Sequence, residues 1–280
     1  MGFGMANETD PVSRPLQARC ASGQESATEP LTARDTKMTS LPTEHQARPS
    51  SATVADAANE LAKMWAIFQI GQTNPISLRA ISPKGAPTPL PPKNLTFNAG
   101  EFPDVDARKQ AFADAALRLN ENGYNSYIVL NQIKTGFKGN GHNGIAVSDK
   151  DIACRQLLLI DLDRTGILEV PASDAEVAQA ADVAEKISAQ LVSLYGIQPF
   201  KVMSGNGIHL YVPLDDIPND TDSKACCQSV LKALANRFDS TTIKVDQSVY
   251  NASRITKVPG TIARKGSETA DRPFRMAFVL

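Results

Sequence analysis

The stretch Leu-Leu-Leu-Ile-Asp-Leu-Asp at residues 157–163 decides the fold. Its continuous apolar run reads as a strand central in a sheet. Asp161 and Asp163 stand two residues apart, so on a strand both side chains project from one face. Downstream, Ser173 with Glu176 three residues later forms a capping box that opens a helix to about 195, closed by Gly196. Residues 200–203 and 208–214 read as strands around a glycine turn, and 222–238 as a second helix. Strands follow at 243–249 and 275–280. Strand, helix, strand, strand, helix, strand is the ferredoxin-like order, a four-stranded sheet with two helices on one face. The expected class is α/β (α+β).

Upstream, the spacing predicts a helix over 55–64, then strands at 65–70 and 76–81 separated by Asn74–Pro75. The four prolines within 84–93 mark a loop. Phe112, Ala115, Ala116 and Leu119 recur at helical spacing over 106–122, with Gly123 as the stop, and 127–133 reads as a strand. Residues 1–52 are rich in Ser, Thr, Pro, Ala and Glu, so they bury too little apolar surface to offset ordering entropy and read as a disordered leader. The expected organisation is that leader, an N-terminal α/β half over about 53–150, and the ferredoxin-like half over about 151–280. Apolar strand still runs at 277–280, the pattern expected of a piece excised from a larger protein.

Of the 280 residues, 42% are hydrophobic and 21% charged, the balance of an ordinary globular protein. No apolar run reaches the roughly 18–20 residues of a membrane span. No charged region leads into an apolar core at the N-terminus, so the expected location is the cytoplasm, without membrane contact. The net charge of −1 lacks the basic excess of many nucleic-acid binders, so any such contact must use a local groove. Cysteines at 20, 154, 226 and 227 make no C-x-x-C pair, and histidines at 45, 142 and 209 are dispersed. Neither pattern suggests a zinc centre or a disulfide framework, and the cysteines read as buried or incidental thiols.

Two carboxylates as close as Asp161 and Asp163 repel unless a cation sits between them, and oxygen donors suit Mg²⁺ or Mn²⁺. A second element, Ser204-Gly205-Asn206-Gly207-Ile208-His209, places glycines where a backbone can approach phosphate, with His209 opening the next strand. A hairpin turn explains the same glycines. The third element, 244–266, sets Asp246 in an apolar strand and then crowds Arg254, Lys257, Arg264 and Lys265 around Pro259–Gly260. Basic groups beside an acid suit a triphosphate whose charge is shared with metal ions. Three carboxylates for two metals, with basic groups for a triphosphate, is what a nucleotidyl transferase needs.

In this order the motifs resemble those of the archaeo-eukaryotic primase superfamily, in particular primase-polymerases of plasmids, phages and integrated elements. The resemblance covers roughly residues 60–280. Asp161 and Asp163 match its D-x-D motif and Asp246 its third acid, which implies that these three are catalytic and hold two Mg²⁺ or Mn²⁺ ions. His209 matches the histidine that contacts nucleotide phosphates. Ser204, Asn206 and Gly207 belong to the same motif, although the serine expected two before the histidine is Gly207. Arg254 and Lys257 fit the basic positions after the third acid, and Lys265 looks like a further phosphate contact. The resemblance implies an RRM-like catalytic half packed on an N-terminal α/β half with the active-site cleft between them. It implies template-directed synthesis of primers or DNA on single-stranded DNA from nucleoside triphosphates, with a helicase domain or protein as a companion.

Two rival readings remain. Asp161–Thr165 also reads D-x-D-x-T, the first motif of haloacid-dehalogenase phosphatases, with Asp161 as nucleophile and Asp163 as general acid. That motif normally opens its domain, and well over 100 residues precede it here. The other rival is a non-catalytic, DNA-binding replication initiator, whose binding would survive loss of any of the three acids.

Overall fold

A computed structural model describes residues 54–139, 144–166 and 169–280. The expected leader lies outside the described residues. Helix α1 (Val54–Ile67) leads into strands β1 (Ile76–Ile81) and β2 (Lys93–Phe97), helix α2 (Val105–Glu121), and strands β3 (Asn125–Val129) and β4 (Gln132–Ile133). The long β5 (Ile152–Arg164) follows, then helix α3 (Asp174–Tyr195), the hairpin β6 (Phe200–Met203) and β7 (Ile208–Pro218), helix α4 (Thr221–Phe238) and β8 (Ile243–Val245). Short strands β9 (Ile255–Lys257), β10 (Ile262–Ala263), β11 (Arg275–Met276) and β12 (Phe278–Val279) complete the chain.

Strands β8, β5, β7 and β6 lie side by side in that order, every pair antiparallel. This is the order expected of the ferredoxin-like half. Helix α3 packs on β5 and β7, and α4 on β8, so the two helices cover the sheet together. Their ends follow the local chemistry: Ser173 and Glu176 exchange both bonds of the capping box, and Gly196 takes the left-handed conformation at φ 68°. Leu157 to Ile160 and Leu162 are all buried. Full burial of each such side chain stabilises by roughly 1.5–3 kcal/mol, which is why β5 anchors the sheet. Strand β12 extends the sheet beyond β6, and β4 pairs with the early part of β5.

A second sheet, in the order β2-β1-β3-β9, carries α2 and forms the body of the N-terminal half. Its last strand, β9, comes from the C-terminal half of the chain, so the halves interlock. Among the described residues no helix is long and apolar enough to cross a membrane.

Several expected boundaries are corrected. The strand expected at 65–70 is instead the end of α1 and a loop, because Leu61, Met64 and Phe68 are buried at helical spacing. Strand β2 lies at the close of the expected loop, and its pattern, mostly half-buried at an edge, lacks apolar alternation. The strand expected over 127–133 breaks at Asn131, whose side-chain carbonyl accepts from Gln156 and Leu157 N–H at 2.8 and 3.0 Å. Those two bonds satisfy an irregularity in β5, where the register to β7 shifts between Arg155 and Leu157. The final expected strand divides at Ala277, with β11 pairing β10 and β12 pairing β6. Cys154 and Cys227 are free thiols, Cys227 buried, as expected of them.

Candidate active site

Asp161 lies near the end of β5, directly opposite His209 on β7. On its other side, Leu162 pairs with Val245, and the Asp246 N–H donates to the Asp161 carbonyl at 2.9 Å. His209, Asp161 and Asp246 therefore form one row across β7, β5 and the residue that follows β8, and opposed residues share a face. Asp163 lies two residues along β5 on that same face. Asp246 stands just past the end of β8 rather than inside a strand running to 249. Its Oδ1 accepts from Ser248 N–H at 2.7 Å, and this turn ends the strand.

The row is electrostatically coupled. Burial works against ionisation of Asp161, yet His209, Arg254 and Lys265 outweigh it and hold its pKa below the ordinary value. The Asp161 charge, then burial, push Asp163 up to about 6; Asp246 adds to this, and Lys265 and His209 oppose it. Burial disfavours charge on His209, but the Asp161 carboxylate raises its pKa overall. His209 Nε2 lies 3.4 Å from Asp161 Oδ1.

These shifts have a sign in solution. Between about pH 4 and pH 6 the folded chain holds a proton on Asp163 that the unfolded chain has released, so stability falls as pH rises through that window. The contribution of Asp163 is on the order of 3 kcal/mol. His209 acts in the same direction, because its raised pKa stabilises the fold at low pH and that gain is lost on deprotonation. Metal-free protein is therefore expected to gain resistance to urea between pH 7.5 and pH 5, and Asp163→Asn to lose much of that gain. Equal slopes in the two proteins would contradict this account of Asp163.

The glycine turn is built into the fold. Ser204 Oγ donates to the Gly207 carbonyl at 3.1 Å, closing the β6–β7 hairpin. Asn206 Oδ1 accepts from Ala172 N–H at 2.9 Å, docking the turn on the segment that enters α3. A Cβ on Gly207 would stand 2.3 Å from the Leu162 carbonyl, so glycine is required for the turn to lie against β5 beside the acids. Ser204 and Asn206 shape the turn, while His209 reaches the acid row.

The basic residues divide. Arg254 Nη2 donates to the Ser248 carbonyl at 2.7 Å, beside the Asp246 turn, and its charge acts on Asp161. Lys265 is half-buried and feels both Asp163 and Asp161, although burial lowers its pKa overall. The segment leading to it is pinned by two amides: Asn120 binds Ile262, and Asn125 binds Arg264, each through both donor and acceptor. Lys257 is different. It is 3% exposed, and its ammonium donates to Asn125 Oδ1 and the Ile262 carbonyl and lies over the Tyr127 ring. Burial, then Arg264, lower its pKa well below the usual lysine range. In this conformation Lys257 is not offered to solvent.

Several contributors carried no motif. Tyr211 and Thr256 are buried against His209, and Asn120 and Asn125 place the Lys265 segment. The i, i+2 spacing of His209 and Tyr211 puts both on one face of β7, a signal readable beforehand. Nothing local marks Thr256. Its strand belongs to the other sheet, so the site lies at the seam between the two sheets, where the cleft is expected. A cavity lined by Phe68, Asn74, Ile76, Asn131, Gln132 and Gln156 lies elsewhere, and none of the acids lines it.

Three carboxylates supply hard oxygen ligands, and the upward push on Asp163 is the repulsion a cation relieves. Among the described residues, however, no three His, Cys, Asp or Glu side chains converge as a formed metal site. The residues fit the ion in chemistry and in placement on one face, without a closed ligand shell.

No family model matches the chain, and no curated protein matches it. Among solved structures, it is similar to the polymerase domain from Mycobacterium tuberculosis Ligase D in complex with DNA. That likeness has a TM-score of 0.43 and 16% identity, and it covers 78% of this chain and 79% of that one. At that score it carries no argument about chemistry.

Proposed function

We propose that this chain is a template-directed nucleotidyl transferase, a primase-polymerase of a mobile element that extends or starts strands on single-stranded DNA. The observation that carries the reading is the row His209–Asp161–Asp246 with Asp163 on the same face. Asp161, Asp163 and Asp246 would hold two Mg²⁺ or Mn²⁺ ions. Bound there, such ions lower the pKa of an attacking hydroxyl and offset charge on the leaving pyrophosphate. Arg254 and Lys265 supply positive charge beside the acids for a triphosphate. His209, tied to Asp161, presents an imidazole edge to the same place. Ser204, Asn206 and Gly207 hold the turn that brings His209 there, and Lys257 supports the Lys265 segment from inside the fold.

One observation favours the phosphatase reading. Asp161 is held ionised while Asp163 is pushed up to about 6, the split expected of a nucleophile and a general acid. That reading gives no role to Asp246, which completes the row. The deciding measurement is incorporation of labelled nucleotide on unprimed and primed single-stranded DNA with Mg²⁺ or Mn²⁺, run beside a phosphatase assay. Metal-dependent product, lost in Asp163→Asn, is the expected result. No product with either metal or either template, with phosphatase turnover present, would replace the polymerase reading by the phosphatase one.

A further inference from the structure

Beyond the acids, the seam between the sheets holds a buried hydroxyl pair. Thr256 is 1% exposed, and its Oγ1 lies 3.0 Å from His209 Nδ1 and 2.7 Å from the Tyr211 hydroxyl. The Tyr211 hydroxyl is itself 3.3 Å from His209 Nδ1. The three groups close a triangle on one nitrogen, while the other ring nitrogen faces Asp161. Tyr211 stands on β7 with His209, but Thr256 comes from β9, which pairs with β3 in the other sheet. A histidine ring is oriented by the partner of the nitrogen that does not serve the site.

We infer that Thr256, backed by Tyr211, is a positioning residue that locks the His209 ring with Nε2 directed at Asp161. The inference rests on the reading of His209 as part of the nucleotide site. A hydroxyl both donates and accepts, so Thr256 meets Nδ1 in either protonation state of the ring. The same contact ties the sheet that carries the acids to the strand that follows Arg254, so one hydroxyl registers His209 against the basic segment. Without it, Nδ1 keeps only the longer Tyr211 contact, and the ring is held less firmly.

The test compares Thr256→Val, Thr256→Ser and Tyr211→Phe in the full chain. Proton–nitrogen correlation spectra of ¹⁵N-histidine protein, without substrate, report the His209 ring, identified by its loss in His209→Gln. Thr256→Val is expected to shift the His209 nitrogen signals and lower kcat/KM for nucleotide incorporation by about 10–100-fold. Thr256→Ser is expected to restore both, and Tyr211→Phe to give a smaller shift. Unchanged His209 signals in Thr256→Val would overturn the inference. So would equal losses in Thr256→Val and Thr256→Ser, since the hydroxyl would then not be the cause. A wild type without incorporation would overturn the nucleotidyl-transfer reading alone, because the spectra still decide the ring's positioning.

Discussion

Replacing Asp161 by asparagine is expected to lower metal-dependent nucleotide incorporation by about a thousandfold or more, a loss of about 4 kcal/mol of transition-state stabilisation. Asp161 occupies the middle of the row, with His209 on one neighbouring strand and Asp246 just past the end of the other. Asparagine keeps its size and leaves the Asp246 N–H bond to the residue-161 carbonyl intact, so the row stays in register. What it removes is the charge that holds His209 and, on the proposed reading, a metal ligand at the centre of the set. The same change removes the main cause of the upward push on Asp163, whose pKa should fall toward the ordinary carboxylate range. A cation that binds the folded chain also stabilises it by mass action, so Mn²⁺ should raise the melting temperature of the wild type and not of Asp161→Asn. Incorporation within tenfold of wild type, with the Mn²⁺ effect retained, would remove Asp161 from the centre of the chemistry.

The largest effect on stability is expected at Arg108, far from any motif. Its side chain is fully buried in α2 without a carboxylate partner among its hydrogen bonds. The guanidinium donates to the carbonyls of Asn74 at 2.8 Å, Gln72 at 2.9 Å and Phe102 at 3.0 and 3.2 Å, with longer contacts to Pro103 and Gly71. It thereby closes the 71–74 loop against the entry to α2. Burial lowers its pKa, with Asp104 opposing, but a guanidinium stays charged. Arg108→Ala leaves several part-buried carbonyls without donors, at up to about 1–3 kcal/mol each before water enters. A net loss of ~3–5 kcal/mol in urea unfolding is expected. Arg108→Lys should recover only part of it, because one ammonium cannot reproduce a planar fork of donors. A loss below about 1 kcal/mol would mean that water replaces the guanidinium freely.

The two sites also separate function from folding. Asp161 lies on a strand held by the buried Leu157–Ile160 run, so an isosteric change there is expected to spare the fold while removing the proposed chemistry. Arg108 bonds only to the 71–74 loop and the entry to α2, so its loss should lower the amount of folded protein and leave the activity per folded molecule near that of wild type.

Much of the ferredoxin-like half was legible before any coordinates. Its elements carry local signals: the apolar run of β5, the capping box at Ser173 and Glu176, and the left-handed glycine that ends α3. Those signals act within a few residues, so composition and spacing alone determine them. The pairing of Asp161 with Asp163 on one face follows equally from strand periodicity. Other features needed the tertiary structure. The division of the last strand depends on which neighbour each short piece finds, and β11 and β12 find different ones. The β5 irregularity is stabilised by Asn131, a residue 25 positions away in the chain. Because one residue of slip turns a strand's side chains to the other face, that distant amide bears on which face of the sheet carries the acids. Lys257 shows the same limit: its spacing matches a phosphate contact, yet pairing of β9 with β3 places its ammonium inside, against Asn125 and Tyr127. The sequence alone determined which acids share a strand face. Only the folded structure decided which residues surround them, because contacts between strands far apart in the chain leave no local periodicity to read.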